Sequence, residues 1–287
     1  MAPKTVDCGE KVAQELFFFG GVYSNYHAYH AFKQIMEQKT IDASSIICTG
    51  DIVAYCAHPL ECIEETRSWG IASIAGNVEQ QLGTSGDDCG CGFNDGSLCN
   101  ILSRQWYTYA DQHVSSGHRR WLRSLPDHLT FTFAGKRFLV VHGTPDDTSG
   151  FIFRSTPWAI KQAYFDRFDV DVIICGHSGI PSLEIVNGNV WFNAGVIGMP
   201  ANDGTTRTWY GRCRNEESRN EENRLLFSLH ALEYDAVQAC HDMAQAGLPE
   251  EYAQTLKDGL WCSCDILPPH ELSEMGKPLQ ELTQAMS

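Results

Sequence analysis

Two hydrophobic patterns alternate along the chain: short apolar runs that stop at glycine, and longer stretches with apolar side chains every three or four residues. Leu16-Phe17-Phe18-Phe19 is such a run, stopped by Gly20-Gly21. Behind it, Ala28, Ala31, Phe32, Ile35 and Met36 fall at helical spacing, and Ser24 or Asn25 can cap the helix they predict. Ile46-Ile47-Cys48 predicts a buried strand, Pro59 opens a helix to about Trp69, and Ile71–Ile74 predicts the next strand. This β-α-β-α-β order, with helical crossovers, favours parallel pairing.

The rhythm breaks over 83–99, where five glycines accompany Cys89, Cys91 and Cys99. Leu102 to Ser124 reads as helix with a break at Ser115-Ser116-Gly117. Leu129–Phe133 and Arg137–Val141 predict a hairpin, Pro157–Phe168 a helix, and Val172–Cys175 a strand. Asn187-Gly188 marks a second hairpin. Trp209-Tyr210 and Leu225–Leu232 predict the last strands, with the charge run Arg212–Arg224 between them as a solvated loop. From Ala236 the pattern is helical, then irregular around Pro268-Pro269, as for a segment draped over the core. The expectation is an α/β fold: two mixed β-sheets packed as a sandwich and flanked by helices. It is expected to form a single domain over 1–287, with a Cys/Gly-rich loop and helical insertion at 83–125 and a helical extension at 236–287.

Composition narrows the partners. The 287 residues carry 36 acids against 21 bases, a net charge of −15, which argues against broad nucleic-acid or anionic-membrane binding. A local cation can still hold a phosphate in such a protein. No apolar run approaches the ~18 residues of a membrane span, and the first residues lack the layout of a signal peptide. Twelve cysteines without such a signal suggest a reducing, cytoplasmic setting with mostly free thiols. Oligomeric state is not legible.

Chemistry concentrates where apolar runs end. Asp51 follows Ile46–Cys48, Asn77 follows Ile71–Ile74, His142 follows Arg137–Val141, and His177 follows Val172–Cys175. One carboxylate, one amide oxygen and two imidazoles suit a divalent cation, and open α/β sheets build their sites at such strand ends.

Gly50-Asp51, Gly76-Asn77, Val141-His142-Gly143 and Gly176-His177, in this order, resemble the later motifs of the calcineurin-like metallophosphoesterases. The resemblance runs from about Leu16 to Gly211 and includes the tail Trp191–Pro200. It implies a four-layer fold and phosphoester hydrolysis at a pair of metals bridged by the Gly-Asp carboxylate. One metal would take Asp51, Asn77, His142 and His177. The other would take an Asp-x-His motif, which here reads Gly21-Val22-Tyr23, and the last His of Gly-His-x-His, which here is Gly179. Every ligand exclusive to that metal is absent, so one divalent ion (Mn, Fe or Zn) per chain is expected.

Tyr23, Asn25, Ser178 and Arg207 are the candidates to contact substrate, Arg207 as a phosphate fork; Asn25 equally suits a helix cap and Arg207 a surface loop. Val78 stands where relatives carry the histidine that protonates the leaving group, and adjacent Glu79 is a weak substitute. Cys89, Cys91 and Cys99, with Cys262 and Cys264, are open to three readings: a metal centre, a structural or redox role, or an inert loop. His27, His30 and His58 read as surface or capping histidines ahead of replacement ligands. The expected function is a metal-dependent phosphoesterase acting on a small phosphorylated compound or nucleotide. A non-catalytic metal- or phosphate-binding module, or redox chemistry at the same metal site, are the alternatives.

Overall fold

The run Glu15–Phe19 is apolar at nearly every position because the strand it forms is covered on both sides. Leu16 and Phe18 face one layer, Phe17 and Phe19 the other, and all four are at most 2% exposed. The computed structural model describes residues 3–93, 96–216 and 224–286. In chain order its elements are β1 (Thr5–Glu10), β2 (Glu15–Phe19), α1 (Tyr26–Gln38), β3 (Ile46–Cys48), α2 (Pro59–Trp69), β4 (Ala72–Ser73), α3 (Asn77–Thr84), α4 (Leu98–His113) and α5 (Ser116–Ser124). There follow β5 (His128–Phe133), β6 (Lys136–Val140), α6 (Trp158–Phe168), β7 (Val172–Cys175), β8 (Ser182–Val186), β9 (Asn189–Asn193), β10 (Thr208–Glu216), β11 (Arg224–Leu232), α7 (Ala236–Gln245), α8 (Glu250–Asp258), α9 (Pro269–Ser273) and β12 (Leu282–Met286).

The strands form two six-stranded mixed sheets, ordered β1-β5-β6-β7-β9-β8 and β12-β11-β10-β2-β3-β4. The first half of the chain supplies the parallel neighbours β2-β3-β4, as the crossover pattern predicts, and the hairpins supply antiparallel pairs. The sheets pack face to face over an aromatic layer: Phe138 stacks on Phe227 at 6.3 Å, and Phe192 meets Phe227 edge-on at 5.6 Å. Gly211 is required beside this layer, because a Cβ there would lie 2.6 Å from Cε1 of Phe192. Outside, α1 and α2 cover Phe17 and Phe19, and α6 covers Leu139, Ile173 and Trp191. This is the expected sandwich, with helices on both outer faces.

Two expectations need correction, and one strand was not foreseen. The charge run is not simply a solvated loop: Arg212, Arg214 and Glu216 lie in β10 and Arg224 opens β11, with Arg212 Nε donating to Glu15 at 2.6 Å. Charged side chains alternate there with buried Cys213, which is strand periodicity; residues 217–223 lie outside those described. The extension after Ala236 is not all helical, since β12 closes one sheet edge. β1, unforeseen, closes an edge of the other, in parallel with β5. Among the described residues no helix is long and apolar enough to cross a membrane.

Phe192→Ala should cost about 3–5 kcal/mol by urea denaturation, since its site between the sheets cannot collapse. Val6→Ala, on the exposed edge strand β1, should cost less than about 0.5 kcal/mol. A loss below about 1 kcal/mol for Phe192→Ala would contradict the packing described.

Candidate metal centre

Each sheet sends two strands to one end of the sandwich. β3 delivers Asp51, β4 delivers Asn77 as the first residue of α3, β6 delivers His142 and β7 delivers His177. The turns need glycine: a Cβ on Gly76 would sit 2.7 Å from the Asp51 backbone nitrogen, and one on Gly50 would sit 2.9 Å from the Gly76 Cα. Asp51 itself holds φ of 55°, an uncommon conformation for a residue with a side chain. What fixes it is Glu79, fully buried in the first turn of α3. Its carboxylate accepts from the backbone N–H of Asp51 at 2.7 Å, Ile52 at 2.9 Å, Val53 at 3.3 Å and Gly76 at 2.8 Å. Burial and the Asp51 charge push the Glu79 carboxyl up to about 7, against the pull of those donors. Glu79 is thus a clamp on two loops, and the weak suggestion of an acid at this position is corrected.

The donor atoms converge. His142 Nδ1–H donates to the Thr49 carbonyl at 2.6 Å, which turns Nε2 inward. That Nε2 lies 3.2 Å from Asp51 Oδ2, 3.1 Å from Asn77 Oδ1 and 3.2 Å from His177 Nδ1. Asn77 is oriented by its Nδ2, which donates to the Cys89 carbonyl at 2.8 Å, with Cys91 Sγ at 3.3 Å. Atoms bonded at ~2.1 Å to one ion lie ~3–3.4 Å from each other, so this donor set fits a single divalent cation. Burial would lower the His142 pKa, but the Asp51 carboxylate raises it overall; Asp51 is correspondingly held below the usual range despite its own burial. Burial and the neighbouring His142 push His177 down to about 3, so its ring is neutral and available as a ligand.

The remaining sequence candidates separate. Tyr23 and Ser178 line the cleft beside the donors. Ser178 Oγ accepts from Asn193 Nδ2 at 2.8 Å, which leaves its O–H to donate. Asn25 is a correction: its Oδ1 caps α1 through Ala28 N–H at 3.1 Å and its Nδ2 donates to the Gly198 carbonyl at 3.0 Å, so its amide faces the fold. Arg207 is another: its guanidinium donates to the Leu279 carbonyl at 3.0 Å, and among the described residues no Lys or Arg lines the cleft. The described cysteines form no group able to hold a metal, although Cys91, Cys99 and Cys262 line the cleft. Val78 is buried, and its apolar side chain has no proton to give.

The positions that lack ligands are filled. The Tyr23 ring covers Gly21, where a Cβ would lie 2.7 Å from Tyr23 Cε2. Trp261 covers Gly179, where a Cβ would lie 3.1 Å from its Cζ2. Sequence reading missed Trp261. It is pinned at both ends, by its N–H to Asn202 Oδ1 at 2.8 Å and its Nε1–H to the Pro200 carbonyl at 2.7 Å. With Tyr55, Phe93, Phe151 and Tyr252 it makes the cleft aromatic. The available signal was Gly179 itself: a side-chain-free position beside a cleft needs something to fill it.

Two outcomes follow from this geometry. Because His142 titrates above a free imidazole, cation uptake must displace its proton, so affinity should rise up to about tenfold per pH unit below that pKa and flatten above it. Calorimetric titration between about pH 5.5 and 7.5, in buffers of different ionisation enthalpy, reads both the slope and the released proton; a flat profile would contradict the assigned protonation. Glu79→Ala leaves four buried N–H groups unpaired and should cost at least about 3 kcal/mol in denaturation, with more than about tenfold weaker cation binding.

Comparison with known proteins bears on the family and the fold. An uncharacterized protein of Methanocaldococcus jannaschii is 25% identical over 251 residues, covering 82% of this chain and 94% of its own. A metallophosphoesterase structure from Sphaerobacter thermophilus superposes with a TM-score of 0.63 at 23% identity, over 87% of this chain and 100% of that one. A hypothetical protein of Pyrococcus horikoshii superposes with a TM-score of 0.70 at 18% identity, over 86% and 99%. Residues 20–213 match the calcineurin-like phosphoesterase superfamily domain. The chain therefore belongs to the calcineurin-like metallophosphoesterase superfamily, a family of metal-dependent phosphoesterases.

Proposed function

We propose that this chain is a phosphoesterase that works with one tightly held divalent ion, Mn, Fe or Zn, and acts on a small phosphorylated compound with a flat, apolar part, such as a nucleotide. The observation that carries the reading is the contrast between the two halves of the site. Four donor atoms converge at Asp51, Asn77, His142 and His177, while Tyr23 and Trp261 occupy the space above Gly21 and Gly179.

A cation held there supplies Lewis acidity to a phosphoryl oxygen and to water. The chain's own residues do the rest. Asp51 contributes the negative charge that holds the cation, and Glu79 keeps the Asp51 backbone in place. Ser178 offers an O–H donor, and the Tyr23 phenol is kept protonated by burial and by the Asp51 charge, so both can orient a phosphate oxygen. The rings of Tyr55, Phe93, Phe151, Tyr252 and Trp261 offer flat apolar surface and keep water out. Val78 supplies no proton to the departing oxygen, which favours leaving groups that are already acidic.

One observation favours a binding module instead: no cationic side chain lines the cleft among the described residues, so the cation alone would meet a phosphate's charge. Turnover separates the readings. Activated aryl phosphates and phosphoanhydrides should be hydrolysed at least about tenfold faster than simple alkyl monoesters. Equal rates on alkyl esters would reveal an unrecognised acid, and metal-dependent ligand binding with no turnover of any ester would favour the module. Asp51→Asn and His142→Ala should each release the cleft metal after dialysis, whereas Tyr23→Phe should retain it. Retention by Asp51→Asn and His142→Ala would contradict the ligand assignment.

A further inference from the structure

A second group of metal-ligand chemistry lies away from the cleft. His27 is near the start of α1, His58 immediately precedes α2, and Asp242 is in α7. Both imidazole Nε2 atoms lie 2.7 Å from the same carboxylate oxygen, Asp242 Oδ2. The other oxygen, Oδ1, accepts from Gln238 Nε2 at 2.7 Å, which fixes the carboxylate plane and leaves Oδ2 for the two rings. The His58 Nδ1 edge faces Glu61 Oε1 at 3.8 Å. Burial works against ionisation of Asp242, yet the hydrogen bonds from His27, His58 and Gln238 hold its carboxyl below the usual range. The three side chains are 25%, 27% and 16% exposed: ordered by packing, but open to solvent.

An ordinary surface cluster would satisfy two imidazoles with different acceptors. Here both imidazole Nε2 atoms converge on one carboxylate oxygen, and the three atoms lie within 4.8 Å of one another. The geometry points to a second divalent-cation site, His27–His58–Asp242, of the Zn or Co class, with an outward position left for water. Ligand atoms around such an ion stand ~3.3 Å apart, so the rings need open by only roughly 0.6 Å from their hydrogen-bonded spacing. The site is built from three elements distant in sequence, and a cation there ties the C-terminal α7 to α1 and α2. None of the three residues lines the cleft, so this site is separate from the proposed phosphoesterase centre.

The test uses the full chain carrying Asp51→Asn, which removes the anionic ligand of the cleft, so that its outcome is independent of the proposed activity. Co²⁺ titration followed by absorption and by elemental analysis should give one equivalent per chain, with a spectrum of nitrogen and oxygen ligands. Adding His58→Ala should weaken this binding by more than the ~10–100-fold that an outer-shell change costs. Adding Asp242→Asn instead keeps an oxygen for both rings to hydrogen-bond, with the Gln238 amide turned so that its oxygen accepts from the new Nδ2, but should weaken Co²⁺ comparably. No Co²⁺ bound in the Asp51→Asn chain, undiminished binding in the added variants, or a thiolate-to-metal band placing the ion on cysteines would each overturn the assignment.

Discussion

The candidate centre depends on one buried carboxylate. Glu79 accepts from four backbone N–H groups, three of them in the loop after β3 and one at the start of α3. Backbone N–H groups in a buried turn must find acceptors, and a carboxylate can satisfy several at once. The clamp holds Asp51 at its positive φ and places the Asn77 amide beside it, so two motifs from neighbouring strands act as one rigid edge. His142 and His177 arrive from the other sheet, and the aromatic layer between the sheets sets how far apart the two edges stand.

The same economy explains the missing ligands. A cleft that loses an Asp, a His and a second His is left with a void lined by polar loops, which close packing disfavours. Tyr23 and Trp261 fill it. The Tyr23 ring, which itself stands at one of the three positions, lies over Gly21, and the Trp261 ring lies over Gly179. Restoring a carboxylate at position 21 alone would collide with Tyr23. The C-terminal segment that brings Trp261 is thereby part of the cleft wall.

Much of this was legible from the sequence. β2, β3 and β7 announced themselves as apolar runs because both faces of their sheets are covered, and Asp51, Asn77, His142 and His177, singled out at strand ends, do come together. β1 and β12 did not, because edge strands bury too little for a pattern: β1 is exposed at most positions, and β12 comes after a proline-rich stretch. The charge run concealed the end of β10 for a related reason, since its arginines pair with Glu15 and Glu216 across and along a half-buried face. Asn25 fitted two roles in sequence, and only its hydrogen bonds decide for the cap. Arg207 was drawn to the site by its chemistry, but the Leu279 carbonyl holds it elsewhere. His27 and His58 were read singly, and Asp242, nearly two hundred residues on, is what joins them.

The cleft is proposed to hold one ion, not two. Crystals grown with Mn²⁺ and measured for anomalous scattering at the metal edge test it most directly. The account predicts one peak in the cleft, within bonding distance of Asp51, Asn77, His142 and His177, with the Tyr23 and Trp261 rings still over Gly21 and Gly179. Two cleft peaks about 3.5–4 Å apart, bridged by Asp51 with those rings displaced, would contradict it.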